Sequence, residues 1–257
     1  MSRRTARSPE AAPPYALTAR IYDAIYDWKD YEGDARRIHQ LVATYGPPHP
    51  RTLLDVACGT GSHLVYLSRS FESTGLDLNP RMLRIARRKL PQVTFVNGRM
   101  EEFRLGRKFD VITCLFSAVA YVRNEGALRR TLRTFADHLN PGGIAIVEPF
   151  IEPSKYRVGA IHAQVYGPPD LPVARMNLSE RRGDRSIMVM HHLVGTPNGV
   201  RHWVERHDLG LFSAATYLAA FRAAGFRARY LSKGFMKERG LVIGVIPPER
   251  ARVPTIR

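Results

Sequence analysis

Apolar positions along the first 150 residues follow two alternating periods. Short apolar runs predict buried strands at Thr52–Ala57, Thr74–Leu78, Val93–Val96, Asp110–Phe116 and Ile144–Val147. Helical spacing between them predicts helices over Ser62–Phe71, from Asn79-Pro80 onward, and over Glu125–Leu139, the last ended by Asn140-Pro141-Gly142-Gly143. Because strand and helix alternate in this way, we predict an α/β fold with a doubly wound, mostly parallel sheet.

The pattern changes after Phe150. Four β-rich runs separated by turn signals predict an antiparallel β insertion over residues 151–207, and they are Ile161–Tyr166, Val173–Ser179, Ser186–Val194 and Val200–Glu205. A helix over Ala214–Ala224, with Gly225 as its C-cap, precedes two final strands at Arg227–Ser232 and Gly240–Ile246. These strands complete a seven-stranded sheet in one domain, residues 15–247. The ends, 1–14 and 248–257, are rich in Pro and Arg and are expected to be disordered.

The chain is basic, with 39 Lys and Arg against 23 Asp and Glu in 257 residues, a formal net charge of +16. Arginine supplies 33 of these charges, and they are spread along the chain, which favours a scattered surface bias that still attracts anions. The hydrophobic content of 44% excludes global disorder, and no apolar run has the length of a membrane span. The two cysteines fit neither a disulfide framework nor a zinc site, so we expect a cytoplasmic protein.

A glycine turn follows the first predicted strand, in the run Leu53-Leu54-Asp55-Val56-Ala57-Cys58-Gly59-Thr60-Gly61-Ser62. Glycines there let the backbone approach a ligand at the carboxyl end of the strand. A dinucleotide fingerprint needs a third glycine where Leu64 stands, and the Gly-Lys-Ser/Thr of a P-loop is absent. Asp77 ends the next strand, where an acid can bind ribose hydroxyls. Together these features favour S-adenosylmethionine (SAM) as the cofactor.

With these residues the sequence resembles the class I SAM-dependent methyltransferases, from about Tyr15 to Pro247. Further blocks look like those of the TDP-3-amino-sugar N,N-dimethyltransferases of macrolide-type sugar biosynthesis. These blocks are Tyr22-Asp23-Ala24-Ile25-Tyr26, Lys29-Asp30-Tyr31, Phe103–Phe109, Phe116–Tyr121, Val147-Glu148-Pro149 and Arg239-Gly240-Leu241. The resemblance implies an insertion that lies over the active site. It also implies methyl transfer from SAM to the amine of an anionic, TDP-linked amino sugar.

The resemblance implies a set of cofactor-binding residues. They are Tyr22, Asp55, Ala57, Gly59, Gly61, Asp77, Leu78, Met82, Met100, Glu101 and Phe116. Arg99 stands where the family usually has an Asp that contacts the adenine amino group. Glu101 or the backbone of Met100 is the expected substitute for that contact.

A second set of residues is implied for the substrate and the chemistry. The substrate residues are Tyr15, Tyr26, Tyr31, Glu148 and Arg239, and the catalytic residues are Tyr121 and Ser117. Arg239 matches an arginine that pairs with the sugar-nucleotide pyrophosphate, and Tyr121 matches a Tyr or His near the sugar amine. For Tyr22, Tyr26 and Tyr31, whose spacing is helical or nearly so, packing in the core is the alternative interpretation.

Other functions stay open from the sequence. A small-molecule N- or O-methyltransferase acting on a glycine-like amine or a natural-product scaffold would keep the SAM residues and lose the nucleotide partner. A regulator that binds SAM or RNA without catalysis is another alternative. Leu115-Phe116-Ser117-Ala118 lacks the Asn/Asp-Pro-Pro-aromatic run of enzymes that methylate base amines, which argues against nucleic acid. No metal is expected, because His191, His192, His202 and His207 are split between strand faces. A homodimer also stays open.

Overall fold

The computed structural model of the protein describes residues 11–248. Its helices are α1 (Tyr22–Ile25), α2 (Tyr31–Tyr45), α3 (Leu64–Leu67), α4 (Pro80–Lys89), α5 (Glu125–Asp137) and α6 (Ala214–Ala223), with 3₁₀ segments at Thr18–Ile21 and Ala118–Val122. Its strands are β1 (Thr52–Val56), β2 (Glu72–Asp77), β3 (Thr94–Asn97), β4 (Phe109–Cys114), β5 (Leu139–Val147), β6 (Ile161–Tyr166), β7 (Val173–Arg182), β8 (Arg185–Thr196), β9 (Gly199–Gly210), β10 (Arg227–Leu231) and β11 (Leu241–Val245). Most of the two ends predicted to be disordered, 1–14 and 248–257, lies outside the described residues.

The chain divides into two compact units. The first, called the α/β unit below, comprises residues 30–155 and, of the rest of the described chain, residues 210–248. The second, called the β unit, comprises residues 156–209 together with residues 11–29. The β unit is therefore built from two segments that lie far apart in the sequence.

A seven-stranded sheet organises the α/β unit, in the order β10-β11-β5-β4-β1-β2-β3. β1, β2, β3, β4 and β5 pair in parallel, whereas β11 runs antiparallel to both β5 and β10. The central strands are almost wholly inaccessible to solvent, with Leu53, Leu54 and Val56 on β1 and Val111 and Ile112 on β4. The predicted mostly parallel sheet is confirmed, and its strands are apolar on both faces because helices cover both.

Two predicted boundaries differ from the structure. The helix predicted over Ser62–Phe71 is regular only at Leu64–Leu67, with hydrogen-bonded turns on either side. The strand predicted to begin at Ile144 begins at Leu139, which pairs with Phe109 before the register shifts. The Pro-Gly-Gly that was expected to stop a helix thus lies inside β5 as an irregularity, where Gly142 takes the left-handed φ of 80°.

The longest helix of the described chain, α2, precedes β1 and was not predicted. Asp30 caps it by accepting a hydrogen bond from the Gly33 amide at 2.7 Å. Its buried face carries Ala35, Ile38 and Val42, which pack in the same apolar cluster as Leu53 of β1. The signal was therefore present as an N-cap followed by an apolar stripe at helical spacing.

The β unit contains a four-stranded sheet in the order β6-β7-β8-β9, which confirms the predicted antiparallel insertion. Ile21 and Ile25 from the start of the chain pack on Val173 and Val194 of this sheet. Ala12 forms a β-bridge with Glu205. Ile21 and Ile25 thus belong to the hydrophobic core of the β unit, and Ala12 extends the contact to β9.

Glu205 of β9 holds this N-terminal segment in place. Its side chain is fully buried and accepts hydrogen bonds from the amides of Leu17 and Thr18, at 2.8 and 3.0 Å, and from the Thr18 hydroxyl at 2.7 Å. Burial alone would raise the pKa of Glu205, but the His207 ring, whose Nε2 lies 3.8 Å from the carboxylate, and the hydrogen bonds from Thr18 and Leu17 outweigh it and lower the pKa to about 2. The folded protein therefore stabilises the ionised form of the Glu205 side chain over its protonated form.

We predict that Glu205→Ala will release the segment around Leu17 and Thr18, because their amides lose charge-assisted acceptors worth about 1.5–3 kcal/mol each. Amide hydrogen exchange should show faster exchange at both positions. Since the folded pKa is depressed, acidification from about pH 4.5 toward pH 2 should produce the same release in the unmodified protein. Glu180→Ala, on β7 of the same sheet, serves as the control and should leave both amides protected. Unchanged protection in Glu205→Ala would contradict this role.

Candidate functional site

Polar and glycine residues of the α/β unit meet at one edge of its sheet. The parallel strands β1, β2, β4 and β5 all end there, so the residues that follow them lie together. β11 runs the opposite way and begins at that edge, since Val242 pairs with Val147 at the end of β5. The edge therefore gathers the glycine loop after β1, Asp77, Phe116-Ser117, Glu148 and Arg239.

The glycine loop is shaped by left-handed backbone at Ala57, Gly59 and Gly61, with φ of 59°, 57° and 78°. A Cβ added at Gly59 would meet no atom within 4 Å, so this glycine borders open space in which a ligand can approach the backbone. At Gly61 a Cβ would come to 3.3 Å from Leu90 and 3.5 Å from Ala86, which pack at the end of α4. Gly61 thus allows the loop to pack closely on α4. Gly59, by contrast, leaves open space beside the backbone, and this space is called the cradle below.

Asp77 fixes this loop through its carboxylate. One oxygen accepts the Gly59 amide at 2.8 Å, and the other accepts the Asn79 amide at 2.7 Å. Asn79 in turn caps α4 by accepting the Arg81 amide at 2.9 Å. The acid that ends β2 therefore orders both the glycine loop and the start of the next helix.

Asp55 lies in the middle of the edge and is buried. Its carboxyl accepts the Thr113 hydroxyl at 2.7 Å from the neighbouring strand β4. Burial raises the pKa of Asp55 to about 7, the Thr113 hydrogen bond opposes that rise, and the nearby Asp77 adds to it. Burial also raises the pKa of Asp77. A cationic group placed here would lower both pKa values and relieve the repulsion.

The end of β3 is tied to the end of β2 and brings Met100 and Glu101 to the edge. The Asn97 side-chain amide donates to the carbonyls of Asp77 and Leu78, both at 2.9 Å. Leu78 is 60% exposed, which is unusual for a large apolar side chain, whereas Met82 on α4 is only 2% exposed.

Arg99 pairs with Glu101 at 2.9 Å and with Glu102 at 3.4 Å. Glu101 therefore pairs with Arg99, the residue that replaces the acid expected from the resemblance.

The residues after β4 and β5 are locked together. Phe116 and Ser117 both take left-handed φ, 54° and 62°, a strained conformation that costs on the order of 1–3 kcal/mol for each non-glycine residue. Glu148, fully buried at the end of β5, accepts the Phe116 amide at 2.6 Å. The buried carboxylate of Glu148 thus stabilises the strained backbone of this turn. Backbone strain of this kind is typical of functional sites.

Ser117 links this turn to Arg239. Its hydroxyl donates to the Pro149 carbonyl at 2.7 Å and accepts from Nη1 of Arg239 at 2.9 Å. The guanidinium also lies 5.4 Å from the ring centroid of Phe150 and 6.0 Å from that of Phe116. Because the Ser117 hydroxyl already donates its hydrogen bond to the Pro149 carbonyl, it acts as the acceptor that orients Arg239. We therefore infer that Ser117 is a positioning residue, whereas the sequence predicted a catalytic one.

Tyr121 and Tyr31 lie in the same unit as the glycine loop. Tyr121 belongs to the 3₁₀ segment after Ser117 and is half-buried. The Tyr31 ring contacts His63 edge-on, with centroids 4.8 Å apart, and Nε2 of His63 lies 3.0 Å from a carboxylate oxygen of buried Asp34. The sequence analysis missed Asp34 and His63. The only signal for them was the position of His63 two residues after Gly61.

Tyr15, Tyr22 and Tyr26 belong to the β unit. Their rings form a row, with centroids 5.5 Å apart from Tyr15 to Tyr22 and 4.7 Å from Tyr22 to Tyr26. The Tyr15 ring also contacts His207 at 5.1 Å. The structure thus brings these three predicted residues together in one row of aromatic rings.

Residues 11–248 contain no group of three or more His, Cys, Asp or Glu side chains arranged to hold a metal ion. His191 and His202, two of the histidines considered in the sequence, stack at 5.4 Å on the four-stranded sheet. Within the same described residues, no helix combines the length and the apolar character needed to cross a membrane.

Comparison with known proteins gives consistent similarities. A family described as a methyltransferase domain matches residues 53–143. The dTDP-3-amino-3,4,6-trideoxy-alpha-D-glucopyranose N,N-dimethyltransferase of Streptomyces venezuelae is 42% identical, over 88% of this chain and 97% of that protein. The dTDP-4-amino-2,3,4,6-tetradeoxy-D-glucose N,N-dimethyltransferase of Saccharopolyspora spinosa is 40% identical, over 88% and 92%. The SAM-bound structure of CalS10, an amino pentose methyltransferase from Micromonospora echinaspora, has a TM-score of 0.80 at 34% identity, over 88% and 96%.

The raised pKa of Asp55 predicts a pH dependence of stability. Since the folded protein holds this proton up to about pH 7 and the unfolded chain releases it near pH 3.8, stability should fall as pH rises between these values. One such proton contributes a slope of at most about 1.4 kcal/mol per pH unit. Asp55→Asn should remove this contribution when the free energy of unfolding is measured by urea denaturation from pH 4 to 7.

Asp110 provides the matched control with the opposite sign. Burial raises its pKa, but hydrogen bonds from Arg51, Asn140 and Thr52 prevail and lower it. Asp110→Asn should therefore remove stability that is present above about pH 4 and is lost on acidification. Identical slopes for Asp55→Asn and the unmodified protein would contradict the assignment of Asp55.

Proposed function

This chain belongs to the SAM-dependent methyltransferases, together with the TDP-amino-sugar N,N-dimethyltransferases to which it is similar, and we propose that it methylates the amine of a TDP-linked amino sugar. The observation that carries the proposal is the guanidinium of Arg239, positioned by Ser117 at the same sheet edge as the glycine loop. A cation placed there suits an anionic substrate that meets the methyl donor at the end of β4.

The residues at the edge fit SAM. Gly59 leaves the cradle, Asp77 offers a carboxylate for ribose hydroxyls, and exposed Leu78 gives an apolar surface for the adenine. Burial raises the pKa of Asp55 and of Asp77, and a ligand that carries a positive sulfonium and an ammonium group would lower both values and favour the ionised carboxylates. When bound, SAM supplies an electrophilic methyl group with a neutral thioether as its leaving group.

The chain's own residues would act mainly by placing the nucleophile. An amine attacks the methyl carbon only as the free base and in line with the breaking bond, so orientation and exclusion of water dominate catalysis. We assign Tyr121 to orienting the amine through its hydroxyl, with the amine proton passing to solvent. Arg239 would bind the diphosphate, since a guanidinium suits bidentate contacts to phosphate oxygens. Ser117 and Phe150 would hold that guanidinium in position.

Methyl transfer can be tested directly with purified protein, SAM and a panel of TDP-linked 3-amino and 4-amino deoxysugars, followed by mass spectrometry. We expect the mass of at least one sugar to rise by one or two methyl groups. Arg239→Ala should raise the KM for that sugar about tenfold or more, because a charge-assisted contact to phosphate is lost, while KM for SAM changes little.

Arg227→Ala, which removes an exposed arginine on the neighbouring strand β10, is the control for the loss of one positive charge. It should leave both KM values unchanged. If TDP does not bind and only amines without a nucleotide are methylated, the substrate is a different small molecule and the proposal fails.

The role of Tyr121 gives a separate expectation. Tyr121→Phe should reduce kcat by about tenfold or less and leave the pH profile of kcat unchanged, because loss of an obligate base costs about 10²–10⁴. A loss of that larger size, together with a shifted pH profile, would show that Tyr121 takes the proton.

A further inference from the structure

The loop between β10 and β11, residues 232–240, carries Arg239 and folds back on itself. The Gly234 amide donates to the Arg239 carbonyl at 2.7 Å, and the Arg239 amide donates to the Met236 carbonyl at 3.2 Å. Glu238, directly before Arg239, takes a left-handed φ of 63°, which residues with a side chain rarely adopt. Backbone of this kind persists only where the surrounding structure holds it in place.

The two ends of this loop lie close against each other at Gly234. A Cβ added at Gly234 would come to 2.6 Å from the carbonyl oxygen of Arg239 and to 2.7 Å from that of Gly240. The backbone around Arg239 therefore leaves no room for a side chain at position 234. Because the two backbone segments are in contact and joined by a hydrogen bond, a displacement of Gly234 also moves Arg239.

Arg37 of α2 holds this loop from outside. Its Nη1 donates to the Gly234 carbonyl at 2.6 Å, and its Nη2 donates to the carbonyl of the preceding residue, Lys233. The guanidinium also lies 5.6 Å from the ring centroid of Phe235, the residue that follows. One planar fork thus contacts three consecutive residues of the loop, although Gly234 lies 197 positions away in the sequence.

The charge of Arg37 is directed to the loop backbone and not to an acid. Within residues 11–248 no carboxylate lies within ion-pair distance of Arg37, whereas its neighbour Arg36 pairs with Glu32 at 3.4 Å. Hydrogen bonds from an ionised donor are stronger than those between neutral groups. A guanidinium can also bind two adjacent carbonyls at once, because its donors are fixed in one plane. Arg37 is therefore suited to hold a loop through its backbone.

The helix that carries Arg37 is itself fixed to the sheet. Ile38, the next residue of α2, is completely buried in the apolar cluster that also contains Leu241, the first residue of β11. Phe235 of the loop packs against the same cluster. Arg37 therefore projects from a rigid support, and the loop that carries Arg239 is held against it.

We propose that Arg37 is a positioning residue for substrate binding, which holds the carbonyls of Lys233 and Gly234 and thereby fixes the guanidinium of Arg239. The contacts run from Arg37 to the Gly234 carbonyl, from the Gly234 amide to the Arg239 carbonyl, and from Nη1 of Arg239 to the Ser117 hydroxyl. Arg239 is thus held both at its backbone and at the end of its side chain. This inference rests on the proposed function, in which Arg239 binds the anionic part of the sugar nucleotide.

Amide hydrogen exchange in the free protein tests these contacts without any substrate. Arg37→Met keeps an apolar stem beside Phe235 and removes both donors. We expect the amides of Gly234 and Arg239 to exchange about tenfold faster, the change expected when a hydrogen bond from a charged group is lost. Arg36→Met removes the neighbouring arginine of the same helix and should leave both rates unchanged, because an exposed ion pair contributes little.

Kinetics with SAM and a TDP-linked amino sugar test the effect on Arg239. Arg37→Met should raise the KM for the sugar about three- to tenfold and leave kcat and the KM for SAM within about twofold, since only the substrate contact is weakened. In the Arg239→Ala background, Arg37→Met should cause no further rise, because both residues act through one contact. Arg37→Lys, which donates from a single point, should restore part of the affinity and replaces Arg37→Met if that variant does not fold.

Faster exchange, together with a rise in KM that disappears in the Arg239→Ala background, supports the positioning role of Arg37. Unchanged exchange at Gly234 in folded Arg37→Met overturns it. A KM for the sugar that stays unchanged, or that rises equally with and without Arg239, also overturns it. If the unmodified protein methylates no TDP-linked sugar, the proposed function fails, and exchange at Gly234 and Arg239 then decides by itself whether Arg37 holds the loop.

Discussion

The carboxylate of Asp77 is the contact on which the rest of the α/β unit's edge depends. It binds the Gly59 amide and the Asn79 amide at once, so the glycine loop and the start of α4 take their positions from one side chain. Asp55 adds a second buried carboxyl beside it, in a protein whose formal net charge is +16. Two carboxyl groups are thus gathered where we propose that the cationic cofactor of this family binds, against the sign of the chain as a whole.

Positive charge enters the same edge of the sheet through Arg239, which lies near the ends of β4 and β5. Two consecutive left-handed residues, Phe116 and Ser117, turn the chain sharply after β4, and buried Glu148 holds that turn. The turn places a hydroxyl where it orients Arg239, which comes from the loop before β11. The antiparallel direction of β11 is therefore what brings an arginine from the end of the chain to the edge where β4 and β5 finish.

The sequence predicted the strands and the glycine loop well, because burial on both faces of a parallel sheet and the turn at Gly59 leave local signals. It was less informative where tertiary contacts decide. Asn140-Pro141-Gly142-Gly143 has the composition of a helix stop, yet pairing of Leu139 with Phe109 draws it into β5. The role of Ser117 depends on a partner 122 positions away, and the anchoring of Thr18 depends on Glu205, so no local pattern could reveal either.

The pairing of Thr18 with Glu205 has a consequence for synthesis of the protein on the ribosome. The two residues are separated by 187 positions, so at about 5–20 residues per second the start of the chain waits on the order of 10–40 s for its partner strand. For most of that interval, until β7 and β8 have been made, the apolar side chains of Ile21 and Ile25 have no sheet to pack on. The segment around Thr18 is therefore made long before the strands that bury it, and this is the period in which a nascent chain of this kind needs protection from aggregation.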